Sequence, residues 1–126
     1  MADPEVVDDL EELMLVDEPA FRDVMVCVFG IHDHEVRVYL TLLEEPGSTV
    51  EELAAVLERD RSNVNRSLST LREKGLVERD RRLLDGGGYV YQYMAVPLSR
   101  AKSMMHEAVD AWAEQVHERI DEFGDQ

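Results

Sequence analysis

The chain has 126 residues, which suits a single domain, and 44% of them are hydrophobic, enough to form a buried core. It contains no run of about 18 apolar residues, and its acidic start lacks the basic and apolar parts of a secretory signal, so we expect a soluble, cytoplasmic protein without a membrane-spanning helix. A single cysteine, Cys27, excludes an intramolecular disulfide, a zinc ribbon and a Cys-x-x-Cys redox motif.

Two helices are predicted in residues 1–30. Between Glu5 and Val16, apolar residues recur at helical spacing. The stretch from Phe21 to Phe29 follows a proline and stops at Gly30, which predicts a short second helix. Its inward positions would be Phe21, Val24, Met25 and Val28. A strand is the alternative for the run from Val24 to Val28.

Three further helices are predicted between residues 33 and 75. The first covers His34 to Glu45, with Asp33 as its N-cap. Its core face would consist of Val36, Tyr39, Leu40, Leu42 and Leu43. The second begins at Ser48 or Thr49, because Thr49-Val50-Glu51-Glu52 has the form of a capping box. Its apolar positions are Leu53, Ala54, Val56 and Leu57.

The third of these helices is capped by Asp60 or Ser62 and ends before Gly75, the expected C′ residue. Its apolar positions, Val64, Leu68 and Leu71, are spaced for burial on one side. A β-hairpin follows, formed by a strand that starts at Leu76, the turn Asp85-Gly86-Gly87-Gly88 and a strand from Tyr89 to Val96. Leu98 to Phe123 is predicted to be one long helix.

The charge is distributed unevenly along the chain. The formal net charge is −15, which argues against a nucleic-acid partner because such binding neutralises phosphates with Lys and Arg. The segment from Arg59 to Arg82, however, carries a net charge of +4. Only Lys74 and Lys102 are lysines, and an acidic, lysine-poor chain resembles proteins of salt-loving archaea, whose charge maintains solubility in molar salt.

The order of helix, short helix, helix, hairpin and long helix resembles the winged helix-turn-helix regulators of the MarR and archaeal TrmB-type groups. The segments that carry the resemblance are Glu35 to Leu43, Thr49 to Ala54, Ser62 to Leu68, and Leu71-Arg72-Glu73-Lys74-Gly75-Leu76-Val77. This resemblance implies a mainly α protein with a small β-hairpin and N- and C-terminal dimerisation helices. We divide the chain into an N-terminal helical dimerisation segment (1–30), a DNA-binding domain (31–97) and a C-terminal dimerisation helix (98–126).

The resemblance makes residues of about 61–74 the recognition helix in the major groove and about 77–95 the wing on the backbone or minor groove. Arginine can bridge guanine and asparagine can bridge adenine, so we expect Asn63, Asn65 and Arg66 near bases. Ser62, Ser67 and Arg72 would lie near phosphates. The full predicted DNA-binding set is Arg61, Ser62, Asn63, Asn65, Arg66, Ser67, Ser69, Arg72, Arg79, Arg81 and Arg82. The alternative is that these polar residues form only a solvated surface.

The long last helix has no partner in so small a domain unless it packs on the N-terminal segment, so we expect it to form a homodimer. The predicted dimerisation residues are Leu98, Met105, Ala108, Trp112, Val116 and Ile120. Packing entirely within one chain is the alternative. Tyr89, Tyr91 and Tyr93 share one strand face. They would pack the wing against a helix or stack on single-stranded bases.

The function predicted from these patterns is sequence-specific binding of double-stranded DNA by a homodimeric transcription regulator. One alternative is a winged-helix protein-interaction module without DNA binding, which the net charge favours. Another is a DNA-binding redox sensor that uses Cys27, which otherwise serves as a small buried hydrophobe. His32-Asp33-His34-Glu35 has metal-ligating residue types, but Asp33 is expected to cap a helix. We predict no metal, no cofactor and no enzymatic activity, and the sequence names no small-molecule effector.

Overall fold

The computed structural model describes residues 20–124, which form five helices and one two-stranded antiparallel sheet. The helices are α1 (Phe21–Phe29), α2 (Asp33–Glu44), α3 (Val50–Leu57), α4 (Arg61–Glu73) and α5 (Leu98–Glu122). The strands are β1 (Val77–Leu83) and β2 (Tyr89–Ala95). This is the winged helix-turn-helix expected from the sequence. The helix predicted between Glu5 and Val16 lies outside the described residues.

The segment from Phe21 to Phe29 is a helix rather than a strand. It ends at Gly30, which adopts the left-handed conformation with φ of 68°. Met25 is fully buried, while Phe21, predicted to face inward, is exposed. Helix α1 packs against both α2 and α5, so the first and last helices of the described chain are in contact.

The N-cap of α2 is His32, so the prediction of Asp33 was wrong by one residue. The reason is a reciprocal capping box: Glu35 reaches back and accepts a hydrogen bond from the backbone N–H of His32 at 2.7 Å. Asp33 instead forms an ion pair with Arg22 on α1. The carboxylate of Glu35 is buried at this junction.

Helices α3 and α4 are joined by the three-residue turn of the helix-turn-helix. Thr49 caps α3 as predicted, and its hydroxyl accepts from the N–H of Glu52 at 3.2 Å. The turn starts at Glu58, whose φ of 53° is left-handed. Asp60 caps α4 by accepting from the N–H of Asn63 at 2.8 Å. This short turn fixes where α4 begins relative to α3.

The hydrophobic core forms around α2, which contacts α1, α3, α4 and β2. Its fully or nearly fully buried members on α2 are Val36, Val38, Tyr39 and Leu42. Leu40 and, on α3, Val56 were predicted to be core positions, but both are exposed. Helix α2 is covered on several sides, so its buried stripe includes Val38 and leaves Leu40 outside.

The hairpin is tied to the core at its base. Its strands pair in register from Val77 opposite Ala95 to Leu83 opposite Tyr89. Tyr93 also pairs with Ser48, donating its N–H to the Ser48 carbonyl at 2.9 Å. The hydroxyl of Tyr39 donates to the Val96 carbonyl at 2.7 Å, and burial raises the pKa of Tyr39, so this donor stays protonated. These bonds orient the hairpin relative to α2.

Only the first two turns of α5 pack deeply into the core, through Ala101 and Met105. Of the predicted dimerisation residues, Met105 belongs to this intrachain core, while Leu98 is half-buried and packs against it. The remainder of α5 is mostly exposed. Since its 25 residues span roughly 37 Å, the helix extends well past the core.

The C-terminus of α4 depends on Gly75, which has a φ of 77°. Its N–H donates to the Arg72 carbonyl at 3.0 Å, and the N–H of Leu76 donates to the Leu71 carbonyl at 2.9 Å. This pair of bonds is a Schellman motif. It turns the chain directly from α4 into β1 and thereby sets the angle between helix and hairpin.

Replacing Gly75 by alanine should lower the free energy of unfolding by about 1–2 kcal/mol, because an L side chain is strained in the left-handed region. The added Cβ meets only ordinary contact, 3.6 Å from Met104 Cε, so strain rather than a clash is the cause. Gly86→Ala is the matched control, with nothing within 4 Å and no positive φ. Urea unfolding measures both, and equal stabilities of the two variants would contradict this assignment.

Candidate nucleic-acid interface

Helix α4 has one buried side and one polar side. Val64, Leu68 and Leu71 are buried against the core. The exposed positions on the opposite side are Arg61, Ser62, Asn65, Arg66, Ser69 and Arg72. We call these six residues the α4 face. It combines three arginines with short hydroxyl and amide side chains, the groups that contact phosphates and base edges.

Ser67 does not belong to this face. It is only 2% exposed and lies on the buried side between Val64 and Leu68. The prediction that Ser67 contacts a phosphate is therefore corrected. A one-residue step along a helix rotates the side chain by about 100°, which carries position 67 from the polar side to the core.

Asn63 sits half-buried at the start of α4 and organises its neighbours. Its side-chain amide donates to Asp60 Oδ2 at 3.3 Å, and its carbonyl oxygen accepts from the guanidinium of Arg66. The N-cap of the helix, Asn63 and Arg66 thus form one chain of hydrogen bonds. Asn63 orients Arg66 in this structure, and both groups would have to exchange partners to reach a base.

A cleft of about 620 Å³ separates the first turns of α3 and α4 from the hairpin. Its lining includes Arg61, Asn65, Arg79, Arg82 and Tyr91. Arg61 is 3.4 Å from the carboxylate of Glu51 on α3, and both side chains are largely exposed. Arginines from the helix and the hairpin therefore line the same cleft, and the negative charge of Glu51 partly offsets their positive charge.

The tyrosines of β2 share one face, as predicted, and arginines of β1 lie on them. The guanidinium of Arg79 is 3.9 Å from the ring centre of Tyr91, and that of Arg81 is 5.1 Å from Tyr89. Hydrogen bonding to Tyr93 raises the pKa of Arg79 above its usual range. Tyr93 itself is buried in the core, which confirms that this tyrosine packs the wing onto the helical body.

Arg82 lies on the other face of the hairpin, since successive residues of a strand alternate. Two leucines that we did not single out, Leu83 and Leu84, are exposed at the hairpin tip. The signal was present in the sequence, because apolar residues next to a glycine-rich turn have nothing to pack on. The structure thus adds an apolar element to the predicted basic wing.

The remaining predicted sites lie away from the α4 face. Cys27 is half-buried on α1, and the redox role stays a prediction. The rings of His32 and His34 stack with centres 5.6 Å apart beside Glu35. In residues 20–124, no group of three or more His, Cys, Asp and Glu side chains is arranged to hold a metal ion. Among the described helices, none is both long and apolar enough to span a membrane.

The outer half of α5 carries an apolar groove of about 440 Å³. It is lined by Trp112, Gln115, Val116, Arg119, Ile120 and Phe123. Three of the predicted dimerisation residues, Trp112, Val116 and Ile120, therefore lie together, and Ile120 is 62% exposed. Ala108 is also exposed, one to three turns earlier on the same helix.

Comparison with known proteins identifies the family. The sequence profile described as "Sugar-specific transcriptional regulator TrmB" matches residues 25–99, which includes the hairpin and all of α2 to α4. The chain belongs to the TrmB family. Two uncharacterized proteins of Methanocaldococcus jannaschii are 33% and 38% identical to it over 103 and 102 residues, which is 82% and 81% of this chain and 78% and 84% of theirs.

Solved structures show the same fold. A chain from Methanosarcina mazei Go1, described as a possible transcriptional regulator, superposes with a TM-score of 0.75 at 30% identity, over 81% of this chain and 87% of its own. A Staphylococcus aureus MepR variant superposes with a TM-score of 0.53 at 14% identity, over 82% and 73%, which shows the shared fold. Family and fold are those of transcriptional regulators rather than enzymes.

Glu51→Gln should strengthen DNA binding, because it removes a negative charge that pairs with Arg61 at the edge of the α4 face. We expect affinity to rise about two- to tenfold at low salt and the gain to shrink in molar salt, since the pair is exposed and screened. Glu114→Gln, the same change on α5, is the control. Fluorescence anisotropy with a labelled duplex measures both, and an equal gain for both variants would show only a global charge effect.

Proposed function

We propose that this TrmB-family protein is a homodimer that binds double-stranded DNA at specific sequences, with α4 in the major groove and the hairpin on the backbone or minor groove. The α4 face is the observation that carries this proposal. Val64, Leu68 and Leu71 are buried on the opposite side of α4, and Asp60 caps the N-terminus of the helix. A helix so docked offers its polar side to a groove wide enough for a helix.

Within the α4 face we assign roles by residue chemistry. Asn65 and Arg66 are the candidates for base edges, with Asn63 holding Arg66 in position. Ser62, Ser69 and Arg72 suit phosphates, and Ser62 lies in the first turn, where free N–H groups also favour anions. Arg61 and Arg82 both line the cleft, and we expect them to contact a phosphate strand running between helix and hairpin.

The homodimer is supported by the groove on α5. Trp112, Val116 and Ile120 lie together on a helix that extends beyond the core, a surface suited to an apolar anchor from a second copy. A two-fold dimer would present two α4 faces about one helical turn of DNA apart. The MepR variant of the same fold is described as bound to an oligodeoxyribonucleotide, so this fold accommodates a nucleic acid.

The second candidate is a winged-helix module that binds protein and no DNA. The net charge of −15 favours it, because acidic surfaces repel phosphates. Against it stands the concentration of positive charge between Arg59 and Arg82, which includes the whole of α4. At molar salt, where the screening length falls to about 3 Å, the distant acidic residues act weakly and the local face dominates.

Arg66→Ala should reduce the affinity for duplexes recovered by the wild-type protein from a genomic fragment pool by about tenfold or more, the loss expected for one bidentate base contact. Arg37→Ala removes the same charge from an exposed position on α2 and should leave the affinity nearly unchanged. Electrophoretic mobility shifts at moderate and molar salt measure both variants.

Two results would count against the proposal in different ways. If Arg66→Ala and wild type bind selected duplexes equally well, α4 is not the reading helix although the protein binds DNA. If the wild type recovers no duplex at any salt concentration, the protein-interaction module becomes the better account.

A further inference from the structure

A continuous apolar and aromatic stripe runs along one face of the hairpin, from the core to the tip. It starts at Tyr93, which is 3% exposed, passes Tyr91 and Tyr89, and ends at Leu83, which is 75% exposed and lies directly opposite Tyr89. Neighbouring tyrosine rings touch edge to face, with centres 5.4 Å and 6.5 Å apart. We call this set of residues the wing stripe.

The wing stripe makes the hairpin stiff. An isolated two-stranded hairpin is marginally stable in water, so contacts beyond the backbone ladder matter here. Arg79 lies over Tyr91 and Arg81 over Tyr89, which covers the rings and connects each strand diagonally to the other. With Tyr93 fixed in the core, this arrangement holds the tip at a defined place relative to α4.

The tip itself is narrow and carries apolar side chains next to one exposed carboxylate, Asp85. Leu84 is 44% exposed next to Leu83. Its N–H donates to the Gly88 carbonyl at 3.1 Å, and its carbonyl accepts from the N–H of Gly87 at 3.1 Å, which closes the turn tightly. Gly87 and Gly88 have φ of 94° and 81°, so the turn needs glycine and has almost no side-chain bulk. Leu83, Leu84 and the facing Tyr89 are therefore the large apolar side chains at the tip.

We propose that the tip inserts Leu83 and Leu84 into the minor groove as an apolar wedge that partly unstacks one base step and kinks the DNA. This inference rests on the proposed function and extends it to how the site is selected. A minor groove is about 6 Å wide, and apolar side chains carried by a narrow element can enter it and bend the duplex. Arg81 and Arg82, next to the leucines, provide the positive charge that such a groove attracts.

A protein partner fits the tip less well. Specific protein interfaces bury about 800 Å² on each side, whereas this surface offers two leucines and the edge of one tyrosine. A wedge needs only that small area together with rigid support, which the wing stripe supplies. The protein should consequently prefer operators with a flexible pyrimidine–purine step under the tip, because such steps unstack at lower cost.

The test compares the wild type with the double variant Leu83→Ser and Leu84→Ser on 30-bp duplexes, a length of about three helical turns, that the wild type recovers from a random-sequence pool. End-to-end energy transfer reports the bend and anisotropy reports the affinity. We expect the bend of about 20° or more to disappear. Affinity should fall about tenfold while the slope of log affinity against log salt stays unchanged, because no phosphate contact is lost.

Two controls isolate the wedge. Val56→Ser removes an equally exposed apolar side chain from α3 and should change neither bend nor affinity. Replacing both leucines by methionine keeps the apolar volume and should retain the bend. Changing a TA step under the tip to AA should weaken binding by the wild type several-fold, whereas the affinity of the serine variant should be the same for both duplexes.

Three results would overturn the inference. One is an unchanged bend and affinity in the serine variant, which would leave DNA binding through α4 intact. Another is a change of molar mass by light scattering, which would make the wing stripe a contact between copies of the chain. The third is a wild type that recovers no duplex at all, in which case the proposed function fails together with the wedge.

Discussion

Helix α4 is held against the core by Val64, Leu68 and Leu71, and the rest of the interface depends on this docking. The three side chains are nearly fully buried against α2, so the opposite side of α4 is fixed in direction as well as in composition. The same docking places Gly75, whose left-handed conformation starts β1 immediately after the helix. Helix and hairpin are therefore positioned together by one buried contact and one glycine.

The charge of the molecule has to be considered locally. A body of strongly negative net charge would slow the approach of DNA in low salt, but it would also discourage contact through any surface except the cationic one. Arginines of α4 and of the hairpin line one cleft. We therefore expect the region from Arg59 to Arg82 to provide the attraction to DNA at short range.

Local sequence signals predicted the elements well, because their causes are local. The capping box at Thr49, the cap at Asp60, the stop at Gly75 and the hairpin turn are all decided within a few residues. His32 rather than Asp33 caps α2, because the side chain of Glu35 accepts a hydrogen bond from the backbone N–H of His32. The spacing of residues in the sequence does not decide which of the two residues is the cap, because the choice depends on this hydrogen bond.

Burial was harder to predict because it depends on what covers each helix. Val56 and Leu40 are apolar at helical spacing and yet exposed, while Ser67 is polar and buried. The burial of Met105 within the chain was not foreseen, because the sequence does not reveal that α1 packs against α5. The apolar hairpin tip was missed although its leucines stand next to the glycine-rich turn in the sequence, and the structure shows both of them exposed.

We propose that two α4 faces of one dimer read DNA together. Hydroxyl-radical footprinting of a selected duplex tests this proposal directly. We expect two protected half-sites related by a pseudo-palindrome, with centres about 10–10.5 bp apart or a multiple of that spacing. A single protected half-site, or protection spread evenly over the duplex without preference for sequence, would contradict it.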